Sequence, residues 1–131
     1  NIITLGAKFD WSPESAQGEI KKIDPEKIQV KIPAFARLLE HRHAPNDWKE
    51  LLRKNSGMMF KLGQHPLLVE KILLTINHQV KLLLGDQDDM ADLNYSKTVS
   101  GWFPKGEFHL LHNTPHPIEK VNLQTLMEFI D

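Results

Sequence analysis

An α/β fold with parallel strands follows from three observations. A β-branched run at residues 1–7, an apolar run at 79–84 and the stretch 106–112 read as strands. Helical periodicity fills the intervals between them and the stretch that follows the last. Connections of this length between neighbouring strands imply parallel, right-handed crossovers. The expected architecture is about three parallel strands with flanking helices and a helical insertion between the first two.

Residues 1–7 form the first strand, punctuated by Gly6, and Phe9 and Trp11 follow in a loop. Ser12-Pro13-Glu14-Ser15 starts a helix, with Ser12 at N-cap and Pro13 at N1, where a missing N–H costs nothing. The period then stays helical to about residue 76. Ile32, Phe35, Leu38 and Leu39 share a stripe after Pro33. Trp48, Leu51, Leu52, Met58, Met59 and Leu62 share another after Asn46-Asp47, and Pro66 opens a further helix through Leu67, Leu68 and Ile72. Three or four helices are expected in this block. Gln79–Leu84 is a continuous apolar strand, as burial on both faces requires. A helix over Ala91–Val99, a strand over Gly106–His112 and an amphipathic helix over Ile118–Ile130 complete the chain.

The expected division is 1–12 as core strand and loop, 13–77 as a helical cap, and 78–131 as the remaining core. About 65 residues between two strands exceed a simple crossover, hence the expectation of a cap over the sheet's active edge. Three strands make a thin core, and an unpaired first strand invites a partner, so a homodimer through that edge is expected. The run into Ile2-Ile3-Thr4-Leu5 begins inside a strand, which suggests an upstream portion.

Composition narrows the functions. The 131 residues are 40% hydrophobic and 25% charged, ordinary for a globular domain. A net charge of −1 favours neither nucleic acid nor an anionic membrane. The absence of cysteine excludes a disulfide scaffold, thiolate zinc sites and a cysteine nucleophile. No apolar run approaches the roughly 20 residues of a membrane span. A cytoplasmic location, a small-molecule substrate and no cofactor are expected.

The chemistry concentrates in two turns. Leu82-Leu83-Leu84-Gly85-Asp86-Gln87-Asp88-Asp89 ends an apolar strand in a turn that presents acids. Asn113-Thr114-Pro115-His116-Pro117 ends the next strand in a turn that presents a histidine, 28 residues after Asp88. Neighbouring parallel strands would bring acid and imidazole together, as the acid–base half of a nucleophilic triad. Pro117 biases His116 towards extended backbone and is expected at N1 of the last helix. Each turn has a plainer reading. Asp89 or Asp92 could cap the next helix, and a turn histidine is by itself a weak signal. Four acids within seven residues also raise a metal site, but Met90 stands where a calcium loop needs Asp or Asn. No metal is expected.

The other histidines carry less. His41 and His43 lie two apart on a helix and face different sides. His65 and His78 fall in loops, and His109 and His112 flank a strand. Trp48, Met58 and Met59 on the cap, with Met90, are candidate substrate contacts, although such side chains are more often core.

These residues resemble the α/β-hydrolase superfamily. The block Val80 to Asp88 is similar to the strand and turn bearing its catalytic acid, and Asn113 to Glu119 to its catalytic-histidine loop. Ile3 to Trp11 is similar to the strand leading into the cap. The family acid is the fourth residue of Gly-Asp-x-Asp, which is Asp88, with Asp89 competing one position on. The resemblance implies a partial α/β-hydrolase fold and a serine-hydrolase mechanism with Asp88 and His116 as catalytic residues. The chain departs from the family in having no Gly-x-Ser-x-Gly elbow and no oxyanion-hole loop. The expected function is therefore a piece of a serine hydrolase that is inactive alone. A non-catalytic α/β module binding a small ligand or a protein is the alternative. A metal-dependent phosphoryl-transfer domain using the acids at 86–89 ranks third.

Overall fold

Strands β1 (Ile2–Leu5), β2 (Val80–Gln87) and β3 (Gly106–Pro115) form one all-parallel sheet in the order β1-β2-β3. The computed structural model describes residues 1–130. The central strand is the most apolar one, as a sheet covered on both faces demands. Val80, Leu82, Leu83 and Leu84 are each no more than 3% exposed.

The chain divides into two units. Residues 1–10 and the chain from Leu67 onward form the sheet unit, and Trp11–Pro66 forms a helical unit. In the sheet unit, Phe9, Leu73, Val80, Leu82, Val99 and Phe103 make the core. Leu73 comes from α5 (Glu70–Leu73) and Val99 from α6 (Leu93–Ser100). Asp92 caps α6, its Oδ1 accepting the Tyr95 N–H at 2.7 Å.

In the helical unit, α1 (Pro13–Lys22), α2 (Pro25–Lys31), α3 (Pro33–His43) and α4 (Trp48–Gln64) surround Ile28, Ala36, Trp48 and Leu52. Ser12 and Asp47 cap α1 and α4, by the local logic the sequence predicts. Gly63 lets α1 and α4 pack closely, since a Cβ there would stand 2.6 Å from Ala16 Cβ.

Several expected elements differ. Five helices, not three or four, separate β1 from β2. Asp24 and Pro25 start the extra one, with the Asp24 carboxylate accepting the N–H groups of Glu26 and Lys27. Pro66 opens no helix. Leu67 and Leu68 are exposed, so no packing supports helical turns there, and α5 begins only at Glu70. The helix expected over Ile118–Ile130 is a 3-10 turn at Ile118–Lys120 and a short α7 at Leu123–Met127. Val121 is extended, and the Asn122 side chain accepts the Gln124 and Thr125 N–H groups and caps α7. Local side-chain bonding of this kind competes with helix continuity. Pro117 stands at the N-cap of the 3-10 turn, not at N1. Both β2 and β3 run three residues further than the apolar runs, because pairing resumes at Gln87 and Pro115 after an irregularity.

Candidate acid–base site

The carboxyl ends of β2 and β3 carry the site. After Gln87 the chain turns, with the Asp88 N–H bonded to the Gly85 carbonyl at 3.2 Å. The Asp88 side chain folds inward and is 2% exposed. Its Oδ1 accepts the backbone N–H groups of Met90 (2.9 Å) and Ala91 (3.0 Å). Its Oδ2 lies 2.9 Å from His116 Nδ1. A carboxylate only accepts, so this bond places the ring proton on Nδ1 and leaves Nε2 as the basic nitrogen. His116 is 32% exposed at its side chain, so one part of the ring meets Asp88 and another meets solvent. A buried carboxylate without such donors would cost several kcal/mol.

Gly6 closes the same corner from β1. Its N–H bonds the Leu83 carbonyl at 2.9 Å, and its φ of +57° lies in the left-handed region that glycine adopts freely. A Cβ at Gly6 would stand 3.0 Å from Asp88 Oδ2 and 3.2 Å from His116 Nδ1. The backbone just past β1 thus lies against the acid–imidazole pair, and a side chain at this position would crowd it. Sequence reasoning treated Gly6 as punctuation. The available signal was a glycine at the end of a first parallel strand, where backbones approach closely.

A second pair lies beside the first. His112 Nδ1 is 3.3 Å from Asp86 Oδ2, with the His112 side chain 82% exposed. Burial pushes the Asp86 carboxyl up. The N–H groups of Asn113 and Thr114 and the His112 ring outweigh it and hold the carboxyl below its ordinary value. The sequence offers Asp86 only among the acids of the metal reading and His112 only as a residue flanking a strand, because their meeting depends on how β2 and β3 pair.

The remaining candidates fall in both units. Asp89 is exposed, and Asp92 is occupied as the cap of α6. Met90 is 40% exposed and contributes its backbone N–H to Asp88. In the helical unit Trp48 is buried in the core, Met58 is 51% exposed and Met59 is half-buried. Among the described residues, no three acid or histidine side chains converge as a metal site, and no helix is long and apolar enough to cross a membrane.

No protein-family model matches the chain, and no curated protein matches it. Among solved structures it is similar to a thermophilic esterase from Thermogutta terrifontis, determined with malate bound. The TM-score is 0.60 and the identity 14%, over 98% of this chain and 53% of that one. The chain therefore spans about half the length of that structure. A likeness at this identity concerns the fold alone, an open parallel sheet with flanking helices.

Proposed function

We propose that this chain supplies the acid–base half of a serine hydrolase acting on esters, with the nucleophile contributed by residues outside these 131. The bond of 2.9 Å between His116 Nδ1 and Asp88 Oδ2, at the carboxyl ends of adjacent parallel strands, carries the reading. In this mechanism a serine hydroxyl attacks the ester carbonyl. His116 Nε2 takes the hydroxyl proton and later returns it to the leaving alkoxide. Asp88 fixes the tautomer and stabilises the imidazolium. Water, activated by the same nitrogen, then releases the acid. The nucleophile is assigned elsewhere because the sequence has neither a Gly-x-Ser-x-Gly elbow nor a cysteine. The esterase-like fold, matched over about half of the other chain, supports the same reading. The outer edge of β1 pairs with nothing among the described residues and is where a further strand would add, from the rest of such a sheet or from a second copy.

The test is fluorophosphonate labelling of the protein from its native source, read together with its mass. A labelled species well above the mass of 131 residues, whose labelling disappears in His116→Ala, is the expected result. A native species of this length that ignores the probe would overturn the hydrolase reading and favour a non-catalytic binding module.

A further inference from the structure

Strand β3 carries more chain than β2 at one point of the ladder. Gly85 pairs with Leu111 and Gln87 pairs with Pro115. Asp86 alone therefore faces three residues, His112, Asn113 and Thr114. Such a bulge bends its strand and leaves backbone groups without ladder partners.

The Asp86 side chain takes their place. Its Oδ1 accepts the Thr114 N–H at 3.2 Å, and the nearby Asn113 N–H also favours the ionised carboxylate. Its Oδ2 meets His112 Nδ1 at 3.3 Å. Asn113 adopts φ +52°, a conformation that asparagine tolerates better than most residues. Thr114 is 5% exposed, with its hydroxyl donating to the His112 carbonyl at 3.0 Å. Gly85 makes room, because a Cβ there would overlap the Thr114 carbonyl. His116 follows two residues after Thr114.

We infer that Asp86 is the positioning residue of this site: its carboxylate holds the β3 bulge in the conformation that brings His116 onto Asp88. The inference rests on reading Asp88 and His116 as an acid–base pair. Asp86 touches neither His116 nor a reacting atom, so it acts through the backbone of 113–115. An ionised acceptor suits the task, since its bonds to backbone N–H groups are stronger than those of a neutral one.

The test is nuclear magnetic resonance on the full chain, following the Thr114 amide exchange rate and the low-field proton on His116 Nδ1. Asp86→Ala is expected to speed Thr114 exchange by about tenfold or more and to shift or erase the His116 signal. Protection of the Val80–Leu84 amides should persist and report an intact sheet. Asp86→Asn keeps a neutral Oδ1 acceptor and should fall between Asp86→Ala and the parent. Unchanged Thr114 exchange and an unchanged His116 signal in Asp86→Ala would overturn the inference. If Asp86→Ala loses sheet protection, Asp86→Asn decides. Faster Thr114 exchange upholds the role of the charge, and parent-like exchange with a parent-like His116 signal overturns it. Asp88→Asn separates the two readings. A His116 signal that ignores Asp88→Asn removes the acid–base pair itself. A signal that responds to Asp88→Asn but not to Asp86→Ala removes only the positioning role.

Discussion

Asp86 with His112 and Asp88 with His116 are the same pair of residue types, the first within the last residues of β2 and β3 and the second just past their ends. In the first pair the imidazole is 82% exposed and the contact is 3.3 Å. In the second the carboxylate is 2% exposed and the contact is 2.9 Å. Water competes for the first imidazole at little cost, so that contact contributes little as an ion pair. Water does not reach the second carboxylate, and three N–H donors replace it. Burial, not composition, separates an acid that orients an imidazole from an acid that props up a backbone. Asp86 spends its other oxygen on the bulge, and its weight lies there.

Asp88→Asn should lower fluorophosphonate labelling of the complete protein by about four orders of magnitude, because the wrong His116 tautomer is then favoured. A variant labelled at the parent rate would show that the buried pair is only structural. Gly85→Ala should destabilise the sheet by about 3 kcal/mol in a denaturant titration, since the overlap is with the fixed Thr114 carbonyl. Gly6→Ala should cost about 1–2 kcal/mol for its positive φ, in the same titration. It should also displace the His116 Nδ1 proton signal while leaving that of His112 in place.

Acid should act on the first pair in a defined direction. The Asp86 carboxyl is held below its ordinary value of 3.8, so the folded state prefers it ionised. Its contribution is complete above that value and is lost as pH falls through the folded value. Melting temperatures followed from about pH 5 to pH 2 should therefore fall less steeply in Asp86→Asn than in the parent. Equal slopes would remove Asp86 from the acid response. His112→Ala is the smallest change, with melting within about two degrees of the parent. A larger shift would mean that the exposed pair matters as a pair.

Much of the fold was legible because it depends on near neighbours. The three strands, their parallel order and the helices around them follow from apolar periodicity and connection length. The caps at Ser12 and Asp47 were legible because a capping side chain meets N–H groups two or three residues on. The failures were of the same kind. The apolar period over 118–130 predicts one helix, whereas the Asn122 cap divides the stretch into two short turns. Leu67 and Leu68 carry a helical pattern that finds no core to pack against.

By itself, then, the sequence determined that this protein is a parallel α/β chain in which acids end one strand and a histidine ends the next. It pointed to Asp88 with His116 but left Asp89 as a competitor one position on, and it did not pair Asp86 with His112. Tertiary structure decided that, through a register in which Gly85 faces Leu111 and a bulge gives β3 two extra residues before Pro115. One step of register turns a strand side chain to the opposite face. Asp88 meets His116 across 28 residues of intervening chain, and only strand pairing sets that distance. The crowding at Gly6 likewise comes from Asp88 and His116, which are distant in sequence.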